Sequence, residues 1–188
     1  DNHHRDRNFN QNMKEILLHY KEQIKQTLSN EKIFHIFENN KQIILFLLKN
    51  DIITISEQIY YEMINKVELN GNRYWHFFIP ELEKMIDEEK IKFVKDELLK
   101  KDSNFFDNYE EKREEGENDS YICSLIRKDS IEEFIIYINQ NNISHRSTIL
   151  PSIFETNSLL IENKNTTLIE YSAFYGSIQI FQYLIMNQ

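Results

Sequence analysis

Glycine stands at only three of 188 positions, Gly71, Gly116 and Gly176, and proline at only two. Tight turns draw on both, glycine for positive φ and proline for a preset φ. All-β sandwiches and barrels need turn signals about every 8–12 residues, so this chain excludes them. The isolated glycines also exclude phosphate-cradling loops, since neither GxGxxG nor GxxxxGK[ST] can be written. What remains is an all-α chain in which each glycine marks a particular place.

With 40% hydrophobic and 28% charged residues, the chain is globular and of about one domain's length. Thirty-one acids against twenty-two bases give a formal charge of −9, a surface that repels phosphate backbones, so nucleic acid is not an expected partner. The single cysteine, Cys123, allows no internal disulfide, and no leader-like stretch is present; both point to an intracellular, cytoplasmic location. The densest apolar run, Ile43 to Leu48, is far shorter than the roughly 20 residues of a membrane-spanning helix, so no membrane insertion is expected.

Residues 1–12 are polar and without apolar period, and read as a disordered start; His3 and His4 lack a third metal ligand at suitable spacing. Residues 13–107 form an N-terminal helical region of antiparallel hairpins. Met13, Ile16, Leu17, Tyr20, Ile24 and Leu28 share one helix face, and Ser29-Asn30 turns the chain into a second period through Ile33 to Leu48, interrupted at Asn39-Asn40. Thr54 and Glu57 have capping-box spacing, which predicts a helix start at Thr54. Asn70-Gly71-Asn72 ends that helix, and Pro80 opens another with Leu82, Met85 and Ile86 inward. A charged helix through Ile91, Val94, Leu98 and Leu99 follows. Residues 108–118 read as a solvated acidic connection broken at Gly116.

Little in the chain carries chemistry, and no cofactor is expected. Cys123 could pair with His19, His35, His76 or His145, but no nucleophile motif surrounds it and it reads as a buried apolar residue. His4-Arg5-Asp6 spells a kinase triplet without the glycine loop or lysine strand that gives it meaning. The acids between Glu110 and Glu117 lack calcium-loop spacing. Tyr74, Trp75, Phe77 and Phe78 read as core, with Arg73, Trp75 and His76 the place to look if the protein is an enzyme.

The stretch from Thr167 to Ile185 resembles the body of an ankyrin repeat. Thr167 matches the family's threonine, Ile169 its leucine, Ser172 and Ala173 its small pair, and Gly176 its glycine; Ile180, Phe181 and Leu184 match apolar positions of the second helix. Thr167 and Glu170 form a capping box. Gly176 suits the left-handed residue that ends a helix. The resemblance implies that a side chain bulkier than Ala173 would push the paired helices apart. Leu168 and Glu170 depart from the family's proline and histidine.

A weaker copy begins at Ser120, with Ile122 following, Asp129 on Gly176, Phe134 on Phe181 and Tyr137 on Leu184. Ile126 falls on the alanine position, and Ser130 with Glu133 offers another capping box. The offset is 47 residues, against about 33 in regular repeats, so about fourteen extra residues form a long loop or short element between Ile143 and Thr166. Residues 119–188 are thus expected to hold two divergent repeats. The whole chain resembles the divergent ankyrin proteins of protists with AT-rich genomes, in which a helical N-terminal region leads into repeats.

That resemblance implies a noncatalytic protein-interaction module, the start of an α-solenoid, with an unidentified protein as partner. Its last helix shows no polar cap, so the array is expected to continue, to pack on another chain or to self-associate. Two alternatives are an enzyme in the N-terminal helices and a structural cap for a longer array.

Overall fold

Where glycine is scarce, this chain turns on aspartate and asparagine. The computed structural model describes residues 2–69, 71–163 and 165–187, with side chains from residue 8 onward. Positive φ occurs at Asp51 (52°), Asp129 (50°) and Asn142 (50°) as well as at Gly176 (70°). Each closes a helix through the same pair of backbone bonds, one from the left-handed residue and one from its successor. Ser130 N donates to Leu125 O (3.0 Å) and Asp129 N to Ile126 O (2.9 Å); Ser177 N donates to Ser172 O (2.9 Å) and Gly176 N to Ala173 O (3.3 Å). Asp and Asn visit this region more readily than other residues with a Cβ, so the motif forms without glycine.

The named elements are all helical among the described residues, with single bridges at Val67–Arg73 and Thr148–Thr167. The N-terminal part comprises α1 (Asn2–His19), α2 (Lys21–Thr27), α3 (Asn30–Phe37), α4 (Lys41–Lys49) and α5 (Glu57–Asn65). A 3-10 turn (Tyr74–Phe78) then leads into α6 (Ile79–Leu82), a second 3-10 turn (Glu83–Met85), α7 (Glu88–Lys101) and α8 (Tyr109–Glu115). The C-terminal part holds α9 (Tyr121–Arg127), α10 (Ile131–Gln140), α11 (Ser158–Glu162), α12 (Leu168–Tyr175) and α13 (Ile178–Met186). No helix among the described residues is long and apolar enough to cross a membrane.

Two apolar clusters form. One gathers Phe34, Ile44, Leu47, Ile59, Met63, Phe77 and Phe78 from the N-terminal helices; the other gathers Cys123, Ile126, Phe134, Ile138, Tyr171, Ile180 and Leu184. The long connection between α10 and α12 sends Ile153 and Phe154 into the first cluster, so it binds the two parts together.

Several expectations need correction. Residues 2–12 belong to α1 and are not a disordered start; residue 1 lies outside the described residues. Amide bonds help hold that polar stretch, with Asn10 Nδ2 donating to Gln42 Oε1 (3.2 Å) and Asn40 Nδ2 to Asn10 Oδ1 (2.9 Å). Such bonds leave no apolar period. The chain breaks at Tyr20 between α1 and α2. Ser56 caps α5, accepting from Ile59 N at 3.3 Å, while Thr54 Oγ1 accepts from Asn30 Nδ2 at 3.0 Å. Met85 is exposed. Of the 70–72 turn, Asn70 lies outside the described residues, and Gly71 has φ 89°. Asn39-Asn40 does separate α3 from α4, with Asn40 capping α4.

The largest correction concerns residues 108–118, which are not a solvated connection. They hold α8, and Arg113, Glu117 and Asn118 are buried.

Candidate functional site

The repeat-like positions meet in two helical hairpins, α9–α10 and α12–α13, with α9 against α12 and α10 against α13. Thr167 caps α12, and its capping box is complete: Glu170 N donates to Thr167 Oγ1 (3.2 Å) and Thr167 N to Glu170 Oε2 (2.8 Å). Ile180 and Leu184 are buried, while Ile169 and Phe181 are half-buried. Ser172 is fully buried and donates to Ile169 O (2.8 Å), so the small residue inside the packing is Ser172. Ala173 is exposed, contrary to its expected place between helices.

In the first hairpin Ser120 and Ser130 precede α9 and α10, but neither side chain caps its helix, and the expected Ser130–Glu133 box does not form. Phe134 is buried, and Ile122 and Tyr137 are half-buried. Asp129 does more than end a turn. Its carboxylate reaches the next hairpin, accepting from Gln179 N (3.1 Å) and Ile180 N (3.0 Å) at the start of α13. A contact 51 residues away leaves no local signal.

Between the hairpins and the N-terminal helices runs a buried polar seam that sequence reasoning missed. Lys41 Nζ donates to Ile153 O (2.6 Å), pairs with Glu68 Oε1 (2.7 Å) and lies 5.1 Å from the Phe77 ring centre. Arg113 approaches the same ring at 5.4 Å and binds Glu81 (2.5 Å) and Glu110 (2.7 Å). Glu155 accepts backbone N–H bonds from Asn118 (3.2 Å), Thr156 (3.0 Å) and Asn157 (2.9 Å). Burial still dominates there and pushes its carboxyl up to about 7. Arg127 pairs with Glu117 (2.6 Å) and donates to Tyr171 Oη (2.9 Å).

A cleft of about 440 Å³ opens beside this seam, with Asn10, Gln42, Gly116, Glu155 and Tyr175 among its walls. Glu115 and Glu117 line it with Glu155, alongside the Thr156 and Ser158 hydroxyls. The aromatic cluster is core, with Tyr74, Trp75, Phe77 and Phe78 all buried. Next to it, burial together with Arg73 and Lys101 depresses His76 to about 4. Burial pushes the Cys123 thiol up to about 11, so it stays protonated near neutrality.

His35, Glu38 and Glu62 form the metal-capable trio among the described residues. The imidazole turns a different nitrogen to each acid, Nδ1 to Glu38 at 3.1 Å and Nε2 to Glu62 at 3.6 Å. The Lys66 ammonium, 3.3 Å from Glu38, already supplies that carboxylate with positive charge. The side chains of His3 and His4 lie outside those described.

Compared with known proteins, the chain matches no family model, no curated protein and no solved structure.

Proposed function

We propose that this protein is a noncatalytic interaction module whose residues 119–188 are two divergent ankyrin-like hairpins, and that it binds another polypeptide through the outer face of the second. One observation carries the reading: backbone bonds recur at the 47-residue offset. Ser124 N to Ser120 O (3.1 Å) answers Tyr171 N to Thr167 O (2.9 Å), and Phe134 N to Ser130 O (2.9 Å) answers Phe181 N to Ser177 O (2.9 Å). Stacked hairpins bury one another's apolar faces, and the outermost face is left for a neighbour. On that face Ile178 is 65% exposed, Ile185 51% and Met186 81%.

The test compares capture of partners by the wild-type chain and by Ile178→Glu/Ile185→Glu, with helicity of both checked by circular dichroism. The reading requires a partner held by the first and lost by the second at equal helicity. Partners retained equally by both would refute it.

A further inference from the structure

Helices α3 and α5 pack against each other and bring an imidazole and two carboxylates together. His35 lies in the last turn of α3, Glu38 closes that helix three residues later, and Glu62 faces them from α5. One ligand atom of each lies within 4.8 Å of the other two. The side chains are open to solvent, His35 at 52%, Glu38 at 31% and Glu62 at 29%, so an ion has a way in. The two ring nitrogens differ in their surroundings. Nδ1 lies 3.1 Å from Glu38 Oε2, within hydrogen-bond range, whereas Nε2 lies 3.6 Å from Glu62 Oε1, beyond it. An ionised carboxylate only accepts, so the bond to Glu38 places a proton on Nδ1. A neutral imidazole with that proton turns its Nε2 lone pair toward Glu62. Two acceptors then face each other, and a cation between them relieves the repulsion.

The gap suits a metal ion. Zinc binds imidazole nitrogen at about 2.0–2.1 Å and carboxylate oxygen at about 2.0–2.2 Å, so an ion on two atoms 3.6 Å apart subtends about 120° between them. Zinc has no d-electron preference for one geometry and accepts that angle. Glu62 Oε1 already accepts from Gln58 Nε2 (2.9 Å), and a carboxylate oxygen has a second lone pair to give. Lys66 sits on the other acid, donating to Glu38 Oε1 (3.3 Å) and Glu38 O (3.2 Å). Its charge therefore offsets the acid that orients the ring and leaves Glu62 to the ion.

We propose that His35 Nε2 and Glu62 Oε1 bind a zinc-class divalent ion, with Glu38 holding the imidazole through its Nδ1–H and water completing the shell. A carboxylate behind a ligating histidine fixes the tautomer and raises the basicity of the ligand nitrogen. The nitrogen donor selects zinc over magnesium and calcium, which take oxygen ligands. The site is independent of the hairpin reading.

The experiment titrates zinc chloride, with magnesium chloride in parallel, into the full chain near neutral pH, using calorimetry for binding and NMR for the His35 ring nitrogens. Every sample carries His3→Ala/His4→Ala, so that the terminal imidazoles do not compete. The expected result is saturable zinc binding with the metal on Nε2 and the proton on Nδ1, and no saturation by magnesium. His35→Gln and Glu62→Ala should each abolish it, and Glu38→Ala should weaken it by about tenfold or more, the usual cost of losing an outer partner. Circular dichroism checks the fold of each variant, and the ring spectrum tests the assignment without any of them. The proposal is overturned if zinc does not saturate, which leaves a protonated imidazole between two acids, or if magnesium saturates as well. It is also overturned if the metal takes Nδ1, if binding survives His35→Gln or Glu62→Ala, or if Glu38→Ala binds unchanged.

Discussion

Asp129 holds the start of the second hairpin from the end of the first: its Oδ1 accepts from Ile180 N at 3.0 Å while its own backbone sits at φ 50°. One residue thereby closes α9 and caps α13. Ser177 strengthens the same junction, its hydroxyl donating to Ile126 O. Hairpin-to-hairpin coupling is thus built into the turn itself.

Replacing Asp129 separates its two duties. Asp129→Ala loses the cap and strains the left-handed backbone, with an expected loss of about 2 kcal/mol. Asp129→Gly loses the cap but relieves the backbone, so it should cost about 1 kcal/mol or less. Urea denaturation of the three proteins checks the order.

Two glycines should respond differently to alanine. An added Cβ at Gly176 meets nothing within 4 Å, so Gly176→Ala should cost about 1–2 kcal/mol from φ alone. At Gly116 the same carbon would clash with the Gln42 side chain and stand 2.6 Å from Thr156 Oγ1. Gly116→Ala also endangers the 2.7 Å bond from Gln42 to Glu114 O, and about 3 kcal/mol is expected by the same denaturation assay.

Lys41→Met should cost about 3–5 kcal/mol, because it leaves Glu68 buried without its cation. Lys41→Met/Glu68→Met removes both charges and should recover most of that loss. A thermodynamic cycle over the four proteins measures the coupling.

Stability should carry two opposing pH effects in the weakly acidic range. Glu155 rises from 4.5 to about 7 on folding, so its protonated form favours the fold; its contribution is full below pH 4.5 and is lost as pH climbs through 7. That loss is about 3 kcal/mol. His76 falls from 6.5 to about 4, so the unfolded chain binds the extra proton and stability rises with pH across that window. Wild type should therefore vary little between pH 4.5 and 6.5. His76→Gln should expose a decline with rising pH, and Glu155→Gln an increase, each read from denaturant midpoints.

Local chemistry was legible in the sequence where its partners are local. Asn39-Asn40 divides α3 from α4, Pro80 opens α6, and Thr167 with Glu170 and Gly176 bounds α12, because caps and left-handed turns act within a few residues. The seam was not legible, because its partners are distant. Arg113 looks like one more charge in an acidic run, yet the Phe77 and Tyr109 rings and Glu81 bury it completely. Asp51 and Asn142 take turns that composition assigns to glycine. Ala173 fits a repeat pattern, but exposure depends on what packs beside it, and here Ser172 takes the inward place.

Thiol footprinting tests the interaction face most directly. Cys123 is buried and unreactive as a protonated thiol, so Ile185→Cys and Phe93→Cys each add one readable site, on α13 and on α7. Both should react freely with maleimide in buffer. In native cell extract, Ile185→Cys should react several-fold more slowly while Phe93→Cys is unchanged. Equal reactivity of Ile185→Cys in buffer and extract would contradict a binding role for the second hairpin.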